Sequence, residues 1–317
     1  MATPTERSIL STLAYYDGFS YPLTLLEVWK WLIAEPSDPS VTLGDVERLL
    51  RESIFLNERI EEREGMFFLR GRDELLAIRK ERYLLAERKF QRLHRAMRVL
   101  RLCPFIRTVA VCNSLAYANA CDESDLDIFL LVEHDHIWTA RMFATGLATI
   151  LRWRPEQRGL RDSVCLSFYL SDISQPIDDL MTSNDDTYLR YWIDHLVLIY
   201  GDMKLLDTFR SANRWTRDRL PNTHGTAPAW RRMTQDTWLS NVIKQTIEKF
   251  HTGRFGETLE RRYRDWQMRH LPQQLQALVN KDSRVIMNDR MLKFHENDRR
   301  TDFISHHAAR LKEVLGT

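Results

Sequence analysis

Asp125 and Asp127 stand one residue apart at the head of an apolar run, Ser124-Asp125-Leu126-Asp127-Ile128-Phe129, and are the side chains best spaced for chemistry. Residues i and i+2 of a strand share a face, so both carboxylates point one way while Leu126 and Ile128 enter the core. Two carboxylates held together repel, and a hard cation with oxygen ligands, Mg²⁺ or Mn²⁺, relieves that repulsion. Such an ion keeps open positions for phosphate oxygens.

An earlier apolar run, Val109-Ala110-Val111, ends at Asn113-Ser114. The Ser114 hydroxyl and the backbone N–H groups of a turn leading into Leu115 would form an anion site. Asn113 is the non-glycine residue best able to take a positive φ there. Ser124, just before the acidic pair, and Lys204, after the next apolar segment, are further candidate nucleotide contacts.

With an apolar strand, Asn113-Ser114, a spacer over residues 115–124, and Asp125-Leu126-Asp127 in a second apolar strand, the chain resembles the polymerase-β-like nucleotidyltransferase superfamily. That resemblance covers residues 88–201, with Asn113 where the family has glycine. It implies an α+β fold with a small mixed-sheet core. It also implies that Asp125 and Asp127 hold the metal, that Asn113 and Ser114 meet a nucleoside triphosphate such as ATP, and that an NMP moves to RNA, a protein or a small molecule. Family members that catalyse usually carry a third carboxylate on a later strand. In the next strand candidate, residues 163–170, Ser167 occupies the expected place, and Asp162 and Asp172 are the nearest acids. That departure opens an alternative: a degenerate core that binds nucleotide and acts as a regulator.

The elements around these residues divide the chain into three expected domains. Residues 1–72 hold three short helical patterns, with Thr24/Glu27 and Thr42/Asp45 as capping signals, followed by two short runs about Gly65. Three helices and a hairpin make a winged-helix pattern. Its third helix, around Asp45, Glu47 and Glu52, is acidic, so DNA reading is disfavoured against a protein or intramolecular contact. The stretch from Tyr16 to Thr24, with Val28-Trp29-Lys30-Trp31-Leu32 behind it, resembles a fusion of winged helix and transferase core seen in some bacterial and archaeal proteins.

Residues 73–201 comprise a long helix free of glycine and proline up to residue 102, then the core. Arg88, Arg92, Arg95 and Arg98 form a basic stripe along that helix, read as a solvated face that pairs partly with Glu81 and Glu87 in preference to an RNA or triphosphate contact. His134-Asp135-His136 reads as a helix-capping turn, residues 155–161 as a polar loop, residues 188–200 as one amphipathic helix, and His195 within it as a satisfied core histidine. Residues 202–317 are expected to form a helical domain, its middle helix broken or kinked at Pro272. The run from Phe294 to Asp298 matches no motif with a known mechanism.

With 44% apolar residues in 317, the chain can bury sizeable cores, and a net charge of +2 does not demand a nucleic-acid partner. Four cysteines without a Cys-x-x-Cys pair are expected to be reduced and buried. No apolar run is long enough to span a membrane, so no membrane partner and a cytoplasmic location are expected.

Overall fold

The computed structural model describes residues 2–35, 41–154, 159, 161–173 and 176–316; most of the expected 155–161 loop lies outside them. The described chain is mixed α/β, with two sheets. The first belongs to the amino-terminal segment and joins β1 (Leu23–Thr24), β2 (Ile60–Arg63) and β3 (Met66–Leu69) in the order β1-β3-β2. Helices Pro4–Asp17, Leu25–Lys30 and Leu43–Glu52 accompany it, and each starts at a threonine whose side chain and third-position acid bond reciprocally, as the capping signals require.

The second sheet gathers β4 (Ile106–Val111), β5 (Leu126–Val132), β6 (Val164–Ser171), β7 (Val197–Gly201), β8 (Val285–Met287) and β9 (Met291–Phe294) in the order β7-β4-β5-β6-β9-β8. Only β5 and β6 run parallel; the other neighbours are antiparallel. Helix Leu75–Leu100 covers one face with Phe90, Leu93 and Met97, and Thr187–His195 covers the other with Leu189, Trp192 and Ile193.

Two expectations fail for one reason: short apolar runs do not distinguish a buried strand from a helix. The segment 188–200 breaks at Leu196, whose backbone is extended (ψ 127°), and Val197–Gly201 becomes an edge strand paired with β4. Residues 202–317 are not a separate helical domain, because the β8–β9 hairpin extends the core sheet beside β6. The expected stop at Pro272 does separate helix Gly253–Arg269 from the short helix Gln273–Gln276.

The amino-terminal segment is clamped to this core. Arg79 reaches Glu27 at 2.8 Å, Arg82 bonds the Phe19 carbonyl at 2.8 Å and Asn119 at 3.0 Å, and Arg310 of helix Arg300–Leu315 meets Asp17 at 3.0 Å. No helix among the described residues is long and apolar enough to cross a membrane.

Candidate functional site

β4 and β5 are antiparallel neighbours, so the end of β4 lies beside the start of β5; Val111 faces Ile128, and the Cys112 N–H bonds the Asp127 carbonyl at 3.2 Å. The chain then turns sharply at Asn113, whose φ is +56°, into the single helical turn Asn113–Ala116. An amide side chain tolerates this conformation better than most, which answers the departure from glycine.

Asp125 precedes β5 and Asp127 lies within it. Their carboxylates and the Cys165 thiol place ligand atoms within 4.8 Å of one another. Cys165 is the register partner of Asp127 on β6. Burial, and then the charge of Asp127, push the Asp125 carboxyl up to about 7. The Asp127 carboxyl is also raised, first by burial, against an opposing hydrogen bond from Asn113. The Asn113 amide oxygen in turn accepts the Tyr188 hydroxyl at 3.4 Å.

The approach to this pair is held by a buried cation. Lys89 is fully buried in helix Leu75–Leu100, and its ammonium donates to the carbonyls of Asp122 (3.0 Å) and Ser124 (2.7 Å) and to Asp162 Oδ1 (3.0 Å). Backbone bonds from Asp162 to Ser124 (3.1 Å) and from Leu126 to Ser163 (2.8 Å) tie the starts of β5 and β6 together. Arg88 pairs with Asp122 and Arg92 with Asp162, while Glu87 of the same helix meets Arg231 and Arg232. Arg95 and Arg98 instead line a groove with Arg231 and Arg232.

Several candidates are not brought to the pair. Ser124 spends its hydroxyl on the Cys121 carbonyl at 2.9 Å and its own carbonyl on Lys89. Lys204 follows Gly201, which pairs with Thr108 near the far end of β4, so the sheet places it away from Asn113 and Asp127. Asp162 is engaged by Lys89 and Arg92, and Asp172 by His134 at 3.2 Å, so neither supplies a third carboxylate. His136 is the N-cap residue of helix Ile137–Ile150, its carbonyl accepting the Ala140 N–H at 2.9 Å, but its side chain makes no capping bond and stacks on Phe105 at 3.7 Å; Glu260 accepts the Trp138 and Thr139 N–H groups of that helix start. His195 is a satisfied core histidine, bonded to the Tyr16 hydroxyl at 3.1 Å.

Two participants were not foreseen. Cys165 is half-buried beside the aspartates, not a remote core thiol, and Cys121 is exposed. His295, from the unassigned run after β9, brings Nε2 to 3.4 Å from Ser167 Oγ, and Ser167 lies 3.2 Å from Cys165 Sγ. The two-residue step from Cys165 to Ser167 was legible, but the pairing that aligns Cys165 with Asp127 was not.

Two cavities adjoin Asn113. One, of about 250 Å³, lies among Tyr15, Phe19, Ser114, Tyr117, Tyr188 and Phe303. The other, of about 230 Å³, reaches Lys293, His295, Asp298 and Arg300. Comparison with protein-family models, curated proteins and solved structures finds no match to this chain.

Proposed function

We propose that the chain is a nucleotidyltransferase, dependent on Mg²⁺ or Mn²⁺, that moves an NMP from an NTP to a hydroxyl on RNA, a protein or a small molecule. The observation that carries this is the pair of carboxylates, Asp125 and Asp127, held within 4.8 Å of each other beside the Asn113–Ser114 turn, where burial raises both carboxyl pKa values and the charge of Asp127 adds to the rise at Asp125. Carboxylates that lack a compensating charge fit a hard divalent ion. The Cys165 thiol, pushed far above its usual range by burial, is a soft donor and fits Mg²⁺ poorly. Asp125 and Asp127 would hold the ion, which when bound neutralises triphosphate charge and polarises the reacting phosphorus.

The protein's own part is positioning. Asn113 fixes Asp127, Lys89 fixes the turn before Asp125, and Ser114 offers a hydroxyl to the phosphates. The acceptor oxygen attacks the α-phosphorus and loses its proton, and the bond to the pyrophosphate oxygen breaks in line. On this reading the amino-terminal segment is a winged helix. Its order of helix, strand, two helices, the single turn Ile54–Asn57 and a two-strand wing supports that assignment, and its contacts with Arg79, Arg82 and Arg310 support an intramolecular role over DNA reading.

A second reading is favoured by one observation, the thiol of Cys165 where a third carboxylate would complete the clamp. It makes the core a nucleotide-binding regulator without turnover. Incubating the chain with each α-labelled NTP, Mg²⁺ or Mn²⁺ and cell extract separates the two. Label transfer that is lost in Asp127→Asn supports the enzyme; saturable NTP binding without pyrophosphate release supports the regulator. Absence of both sinks the proposal.

A further inference from the structure

The aromatic cavity beside Asn113 is built from three distant parts of the chain. Tyr15 and Phe19 come from the first helix and its exit, Tyr188, Tyr191 and Trp192 from helix Thr187–His195, and Phe303 from the last helix. Tyr188 and Phe303 are parallel to within 4°, with centroids 5.4 Å apart, and Phe19 leans on Phe303 at 4.9 Å. Phe19, Tyr188 and Phe303 are only half-buried, and the rings line a half-open cleft of about 250 Å³. That is below the roughly 300–1,000 Å³ typical of pockets for whole drug-sized ligands. It suits one planar ring system.

Asn113 connects this space to the carboxylates. It lines the cavity, bonds Asp127 through its side chain, and accepts the Tyr188 hydroxyl at 3.4 Å. Ser114 lines the cavity as well. A flat group stacked among the rings would therefore have its substituent directed past Asn113 and Ser114 toward Asp125 and Asp127. His195, at the cavity wall, is pushed by burial down to about 3 and stays uncharged, so none of the residues lining the cavity offers a cation to an anionic occupant.

We infer that this cavity is the nucleobase pocket for the nucleoside triphosphate, and that the amino-terminal segment acts as its wall. This rests on the nucleotidyltransferase reading for the identity of the ligand, but its geometry is independent of the metal. Stacking on an aromatic side chain is tolerant of base identity, so several bases should enter, with preference set by edge contacts at Asn113 and Ser114.

The test is calorimetric titration of the full chain with adenosine, guanosine, cytidine and uridine without divalent ion, and then with the matching NTP and Mg²⁺. At least one nucleoside should bind, and Tyr188→Ala and Phe303→Ala, checked by thermal melting, should each weaken it about tenfold. Saturation-transfer NMR on the unmodified chain, which needs no variant to fold, should mark base protons above ribose protons. No nucleoside binding, or binding that both variants leave unchanged, overturns the pocket. Binding of NTP with Mg²⁺ but of no nucleoside would sink this inference and spare the proposed function. Nucleoside binding to which triphosphate and Mg²⁺ add nothing would do the reverse.

Discussion

Cys165 stands opposite Asp127 on the parallel β5–β6 ladder, so a thiol occupies the cross-strand position from which a third acid would face the aspartate pair. Substituting Cys165→Asp adds a hard oxygen donor there and should tighten Mn²⁺ binding by about tenfold or more, within the 10–100-fold range by which metal-site partners act. Cys165→Ser should change it little, because a protonated thiol contributes little to a hard ion. Titration with Mn²⁺ followed by electron paramagnetic resonance reads both. Equal affinity in all three proteins would mean that Cys165 does not face the ion.

Divalent-ion binding should also depend steeply on pH. Burial, and then the charge of Asp127, push the Asp125 carboxyl up to about 7, so below that pH an ion must displace a proton from the pair. Apparent Mg²⁺ affinity is expected to fall by about tenfold per pH unit between roughly pH 7 and 5, and to level off above 8. A flat profile from pH 5 to 8 would rule out the pair as the binding site.

Lys89 offers a test of positioning without touching a candidate ligand. Replacing it with Met leaves the Asp122 and Ser124 carbonyls and Asp162 short of a donor in a buried place. Breaking a buried charged contact typically costs about 3–5 kcal/mol; Arg92 still pairs with Asp162, so the lower end is expected. Urea unfolding measures this. If Lys89→Met folds, its Mn²⁺ affinity should drop as Asp125 loses its held turn. An unchanged midpoint and affinity would remove Lys89 from the account.

What the sequence made legible was local. Asn113 at positive φ, the shared direction of Asp125 and Asp127, the capping boxes at Thr24 and Thr42, and the stop at Pro272 each depend on a few adjacent residues and elementary backbone rules. Register between strands distant in sequence was not legible. Nothing in residues 163–170 says that Cys165, not Ser167, aligns with Asp127, because the two share a face and a two-residue shift of register exchanges them without disturbing the apolar alternation. Val285–Met287 and Met291–Phe294 are too short to announce a hairpin, and only pairing with β6 brings Lys293 and His295 toward the site. Lys204 failed for the complementary reason: closeness in sequence to β7 placed it at the wrong end of the sheet.

His195 yields a prediction about acid stability that is separate from the metal. Burial depresses its pKa to about 3, against about 6.5 in the unfolded chain. The unfolded state therefore binds the extra proton between these values, and stability rises with pH across that window. The contribution is complete above about pH 6.5 and is lost as pH falls toward 3, at about 1.4 kcal/mol per pH unit from this group. His195→Gln keeps an acceptor for the Tyr16 hydroxyl, which lies 3.1 Å from Nε2, and removes the titration. The variant should start less stable at pH 7 but lose less between pH 6 and 4 than the unmodified chain, as read by urea unfolding at each pH. Parallel losses in the two proteins would show that another group carries the acid sensitivity, and that the ring at the cavity wall takes up its proton without cost.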